Sequence, residues 1–180
     1  MNPKVQFGCG DQRLSGWENT DIPAVDITKP LPYADNSVRA VFASHVVEHI
    51  EHQQAWNFFD ECYRVLEPSG VIRITVPSFT RISRGIDDEY REFVRSRGWS
   101  NGSKKDTLRS MVFEHGHKAM WTADLLIAFL DAIGFHNPMR QESGISNFTE
   151  LSGLESHASV IGIHADNIES VSVEGQKCST

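Results

Sequence analysis

His45-Val46-Val47-Glu48-His49 has the H-x-x-E-H spacing of the inverted zinc-protease signature. In that use two imidazoles on one helix face hold the ion and the carboxylate serves as general base. Here His45 directly follows a strand-like run, residues 38–44 (VRAVFAS), so the histidines straddle a strand-to-helix junction. No metal ligand is expected from such an arrangement, and a metallohydrolase is the weakest of the readings the motif admits. His49 reads either as a structural residue at the helix start or as part of a site wall. Gly8-Cys9-Gly10 stops the alternating run Lys4-Val5-Gln6-Phe7. Two glycines around one small residue permit a sharp turn and a close ligand, or a tight turn with no ligand at all. Asp21 closes the next strand-like run, where a carboxylate can accept both hydroxyls of a ribose. His115-Gly116-His117-Lys118 lies before a helix, on a loop expected to return over the sheet. That makes His117, with His49, a candidate general base or acceptor contact, beside the bland alternative of solvated loop histidines. Cys9 has no basic neighbour to lower its pKa and is read as a small turn residue.

The elements that must position these residues follow from periodicity. Residues 4–7, 17–22, 38–44, 71–76, 135–141 and 158–164 have strand character, the third being apolar enough for a strand buried on both faces. Trp56, Phe59, Tyr63 and Leu66 recur at helical spacing between Glu51 and Leu66. Thr122 caps a second helix with Leu125, Leu126, Phe129, Leu130 and Ile133 on its apolar face and Gly134 as its stop. Strands alternating with helices predict an α/β sheet with parallel strands, and in such sheets ligands bind at the carboxyl ends of the strands. Gly8–Gly10, Asp21 and the run Ser44–His49 all fall at such ends.

A chain of 180 residues with 39% hydrophobic residues makes one ordinary domain. No run approaches a membrane span, and Met1-Asn2-Pro3-Lys4 leads straight into a strand without a signal-peptide core, so a cytoplasmic protein is expected. A net charge of −7 argues against nucleic acid or an anionic membrane as partner. Cys9, Cys62 and Cys178 show no disulfide or metal-ligand pattern. Residues 79–113 nevertheless carry eight basic residues against five acidic ones. The bland reading is a solvated helix over 87–97 with ion pairs such as Asp87–Arg91. The sharper one is a lid that offers arginines to an anionic acceptor, with Trp99-Ser-Asn-Gly-Ser as its flexible turn. One domain over 1–165 is expected, with 166–180 a loosely ordered polar tail.

FGCG, the aspartate of NTDI, LPYADNSV, VFASHVVEH and YRVLEPSGVIRITVPS follow one another in the order found in class I S-adenosylmethionine-dependent methyltransferases. From Lys4 to Ser78 the chain resembles the small "type 11" group of that superfamily, with weaker agreement at His115–Lys118 and at Ala132–Phe135. The resemblance implies a Rossmann-like, mostly parallel sheet. It also implies S-adenosylmethionine as cofactor, with Phe7, Gly8, Cys9 and Gly10 by the methionine part, Asp21 and Ile22 at the ribose, Asp26 and Ile27 near the adenine, and Ser44 and His45 completing the pocket. The implied reaction is methyl transfer to an oxygen or nitrogen of a small-molecule or saccharide acceptor; a non-catalytic cofactor-binding protein of the same fold is the alternative.

This chain departs from the group by lacking room for helices after its first two strands. Nine residues, Cys9 to Trp17, would rise only about 13 Å as helix but reach about 30 Å extended, so a bare loop must make the crossover. The sheet is therefore trimmed at one edge, which offers a pairing surface for a second subunit. The same loss removes the helix N-terminus that a dinucleotide pyrophosphate uses.

Overall fold

The computed structural model describes residues 1–155 and 157–179. Six strands form one sheet: β1 (Lys4–Phe7), β2 (Glu18–Thr20), β3 (Val38–Ser44), β4 (Leu66–Pro77), β5 (His136–Gln141) and β6 (Ser170–Gln176), in the spatial order β2-β1-β3-β4-β6-β5. The first four are mutually parallel, and β6 runs antiparallel to both its neighbours. The crossovers after β1 and β2 contain no helix, which the length of the first one requires.

Side-chain alternation divides the faces. Phe7, Val41, Ala43, Ile72, Ile74, Val171 and Val173 point to one side, where α1 (His52–Val65) and α5 (Ala123–Ile133) cover them. Helix α1 buries Ala55, Phe58, Phe59, Cys62 and Val65, while Trp56 and Tyr63 of the expected stripe flank this face half-buried. The Thr122 hydroxyl accepts from the Leu125 N–H, and Gly134 stops α5 at φ +113°. Thr122→Ala should cost about 1 kcal/mol, read as a lower urea midpoint at unchanged m-value.

The opposite face has no long helix. Trp17, Ala40, Phe42 and Val71 pack there against Leu151 and Leu154. Next to them Arg73, fully buried, donates to Glu174 Oε1 (2.6 Å) and to the carbonyls of Ile145 (2.7 Å) and Glu142 (2.9 Å), and also pairs with Glu155. Polar pairing thus replaces helical cover.

Two expectations are corrected here. Residues 158–164 are not a strand: α6 (His157–Ile161) and α7 (Ile163–Glu169) meet at Gly162, whose φ of +87° breaks the run, and Val160 and Ile163 stay exposed. The segment read as a loose tail supplies β6, an interior strand. Its polar alternate residues find partners inside, Ser172 on Thr75 and Glu174 on Arg73, so polarity did not mean exposure. Lys177 pins the end on the carbonyls of Tyr63 and Leu66.

Residues 79–113 form α2 (Phe79–Gly85), α3 (Asp88–Ser96) and α4 (Lys104–Phe113). They enclose a smaller core of Ile82, Ile86, Tyr90, Val94 and Met111 with Ala165 and Ile168 of α7. Arg91 pairs with Asp88 rather than Asp87, because Asp87 caps α3 at the Tyr90 N–H and meets His164. Arg81, Arg95 and Arg109 are also paired locally, with Glu142, Glu92 and Asp106. No helix among the described residues is long and apolar enough to cross a membrane.

Candidate functional site

The site grows from the turn after β1. Gly8 and Gly10 have φ of +66° and +48°, a left-handed backbone that favours glycine. A Cβ on Gly8 would lie 2.3 Å from Val46 Cγ2, so the β1 turn and the segment after β3 touch there without room for a side chain. A Cβ on Gly10 would meet nothing within 4 Å: that residue opens onto a cleft. The Gly10 N–H donates to Asp21 Oδ2 (2.8 Å) and the Ile22 N–H to Asp21 Oδ1 (2.8 Å), which fixes the carboxylate across the ends of β1 and β2.

The cleft has two lobes. One, of about 400 Å³, lies between Gly8, Gly10, Asp21, Ile22, Asp26 and Ile27 on one wall and His45, Val46 and His49 on the other. The second, of about 560 Å³, is bounded by Gln6, Gly8, Cys9, Gly10, Ser44 and His45, with His157 across from them. Each is large enough for a small-molecule ligand. Hydrogen bonds from Thr28, helped by Lys29, hold the Asp26 carboxyl below its usual range. Phe7 is the exception among the expected residues. Its ring is fully buried, edge-on to Tyr33 and Phe58, and lines neither lobe, because the β1 alternation that turns Gln6 toward the second lobe turns Phe7 into the core.

A third cavity, of about 190 Å³, adjoins both lobes through His45. Five imidazoles (His45, His49, His115, His117, His157) and two carboxylates (Glu48, Glu169) line it, with Trp99 and Met111 from the 79–113 segment. Among the described residues its lining includes no arginine or lysine. The loop bearing His115 and His117 does return over the sheet end: the N–H groups of Lys118 and Ala119 donate to the Glu48 carbonyl (2.8 and 3.1 Å). His117 Nδ1 lies 2.9 Å from the Met111 carbonyl and His49 Nδ1 3.3 Å from that of Gly116. A carbonyl only accepts, so both rings carry a proton on Nδ1, and in a neutral ring the lone pair is then on Nε2. Burial pushes the pKa of His117 and His115 below the ordinary histidine value, favouring neutral rings at neutral pH. Burial also raises the Glu169 carboxyl, on which the Tyr90 hydroxyl donates (2.7 Å).

His49 and His117, expected as candidate bases, therefore share one cavity. His45 precedes the short 3-10 turn Val47–His49, with φ of +55°, and α1 begins only at His52, so the H-x-x-E-H residues do straddle a junction. His157 and His115 were not expected at the site. His157 packs 3.9 Å from the His45 ring, brought there by α6, whose sequence carries no site-like spacing.

The fit to S-adenosylmethionine rests on the open cradle at Gly10, the fixed Asp21 carboxylate, and a turn with no helix behind it to favour phosphate.

Residues 6–74 match the family model described as "Methyltransferase domain". Over 91 residues, 50% of this chain, it is 29% identical to the phosphoethanolamine N-methyltransferase of Plasmodium falciparum (isolate 3D7); over 75 residues, 39% of the chain, it is 37% identical to a "Probable S-adenosylmethionine-dependent methyltransferase" of Mycolicibacterium smegmatis. The matched stretches cover 33% and 28% of those relatives. Among solved structures, a SAM-dependent methyltransferase from Archaeoglobus fulgidus superposes with a TM-score of 0.57 at 17% identity, covering 98% of this chain and 86% of that one.

Proposed function

We propose that this chain, a member of the class I S-adenosylmethionine-dependent methyltransferase superfamily, binds S-adenosylmethionine in the cleft at the Gly8–Gly10 turn and delivers its methyl group to an oxygen or nitrogen of a small acceptor in the histidine-lined cavity. The observation that carries this reading is the meeting of the two spaces at His45 and His49, which border both the Asp21 lobe and the third cavity. When bound, the cofactor supplies a methyl group already activated by a positively charged sulfur, so the protein's work is alignment and exclusion of water. Asp21 holds the ribose hydroxyls, Asp26 and Ile27 flank the adenine, and Cys9, Ser44 and His45 border the methionine end. Trp99 and Met111, from the 79–113 segment, close the acceptor cavity from above.

The acceptor is a compact molecule presenting a hydroxyl or amine. The volume of about 190 Å³ admits only a few heavy atoms beyond the reacting one. An anion-holding role for residues 79–113 finds little support, since four of its arginines are satisfied by carboxylates. A hydroxyl acceptor must also lose its proton, and the free Nε2 of His117 or His49 is placed to take it.

The test is transfer of labelled methyl from S-adenosylmethionine to a panel of small amines and alcohols. Transfer to at least one member, reduced more than about tenfold in His117→Ala, is expected. Undiminished turnover in both His117→Ala and His49→Ala overturns their role. Tight cofactor binding with transfer to no acceptor favours a binding protein. A parallel expectation concerns Asp21→Ala, which removes the ribose acceptors and should weaken cofactor binding by about 1.5–3 kcal/mol in a calorimetric titration.

A further inference from the structure

Glu48 is buried at the base of the third cavity, its side chain 2% exposed, and neither carboxylate oxygen accepts a hydrogen bond. A buried carboxylate without a donor is costly, and native structures rarely leave one so. The nearest nitrogens are His45 Nδ1 at 3.3 Å and His49 Nε2 at 3.9 Å. His49 carries its proton on Nδ1, toward the Gly116 carbonyl. The Ser170 hydroxyl donates to Asp166 (2.7 Å) and lies 3.1 Å from His45 Nε2. His117, whose Nδ1 lies 2.9 Å from the Met111 carbonyl, is the third member of the group. One ligand atom from each of Glu48, His49 and His117 lies within 4.8 Å of the other two. A buried carboxylate with no hydrogen bond among the described residues, and two imidazoles beside it, is the chemistry of a cation's seat.

We propose that Glu48, His49 and His117 bind one late first-row divalent metal ion, zinc by ligand type, with an open coordination position facing the third cavity. Two imidazole nitrogens and one carboxylate are the donor set of catalytic zinc sites. The backbone carbonyls on both Nδ1 atoms are the outer-shell partners that fix ring orientation in such sites. Ligands about 2.1 Å from a tetrahedral ion stand about 3.4 Å apart, so closure requires side-chain movements of about 1 Å. His49, with 43% of its side chain exposed, is free to make them. The H-x-x-E-H motif is thereby divided: Glu48 and His49 join a distant histidine, and His45 sits instead with His157 and Asp166. If the cavity receives a methyl acceptor, a consequence that rests on the function proposed above, the ion would hold the acceptor's oxygen or nitrogen and lower its pKa so that the proton leaves to water, and His49 and His117 would then act as ligands and not as bases.

The experiment is cofactor-free, so it stands whether or not methyl transfer occurs. Protein stripped by chelator is titrated with cobalt(II) and with zinc, reading the visible absorption of the cobalt complex and the metal content after desalting. One ion per chain is expected, with binding weakened more than about tenfold in Glu48→Gln and in His117→Ala and retained in His157→Ala. His49→Ala changes an exposed side chain and provides a variant whose fold is undisturbed, checked by its thermal transition. No stoichiometric binding overturns the proposal. So does binding indifferent to Glu48→Gln and His49→Ala, or binding lost only with His157→Ala, which would place the ion on the His45 side.

Discussion

Gly8→Ala is expected to weaken S-adenosylmethionine binding by more than tenfold and to lower the melting temperature by roughly 10 °C, although it adds a single methyl group. Two costs combine. A left-handed φ of +66° costs an L-residue about 1–2 kcal/mol. The added Cβ, 2.3 Å from Val46 Cγ2, must displace that side chain, and overpacking of this kind costs about 1–3 kcal/mol. For a domain of this size each kcal/mol moves the transition by about 2–4 °C. The displaced Val46 is itself a wall of the Asp21 lobe, between His45 and His49, so the strain falls on the cleft. Gly10→Ala provides the contrast: its φ is also positive, but its Cβ would meet open space, so only the conformational cost applies. Val46→Ala placed in the Gly8→Ala background should recover part of both losses. No recovery would show that the contact with Val46 is not the cause.

Arg73→Ala is expected to destabilise the fold by about 3–5 kcal/mol, the usual consequence of removing one member of a buried ion pair. Arg73 is fully buried among carboxylates and carbonyls: Glu174, Glu155, Ile145 and Glu142 take its donors, and Glu174 Oε2 already lacks a hydrogen bond. Truncation leaves Glu174 buried without its cation. A thermal or urea transition reads the loss. Replacing Arg73, Glu155 and Glu174 together by Met, Leu and Met should restore most of it, because the cost lies in the orphaned charges rather than in the absence of the pair. A loss below about 1 kcal/mol in Arg73→Ala would show that segment 142–155 does not depend on this network for its place on the sheet.

The parts of the fold legible in the sequence are those whose burial follows periodicity. VRAVFAS is apolar on both faces and became an interior strand, and Thr122 with Gly134 bounded α5 as their chemistry demands. The helix-free crossover after β1 was legible too, because its ten residues leave no length for a helix with its turns. Strand β6 was not. Its alternate residues Ser172 and Glu174 look solvent-facing until Thr75 and Arg73 supply partners that lie about a hundred positions earlier. The same limit applies to the site. Gly8, Gly10 and Asp21 are local signals at strand ends, and the structure places them on one cleft. Phe7 belongs to the same motif but to the other face of β1, a distinction one residue wide. His157 and His115 reach the cavity only through the packing of α6 and of the loop after α4, which no spacing in the chain announces.

The most direct measurement is a calorimetric titration of the protein with S-adenosylhomocysteine, run beside S-adenosylmethionine and NAD, on the natural sequence and on Asp21→Ala. The homocysteine form lacks the methyl group and cannot turn over, so it reports the cleft alone. One site is expected for each of the two sulfur ligands, weakened in Asp21→Ala, with no heat from NAD because the turn after β1 has no helix N-terminus to hold a pyrophosphate. Binding of NAD without binding of S-adenosylhomocysteine would contradict the assignment of the Gly8–Asp21 cleft, and with it the proposed reaction.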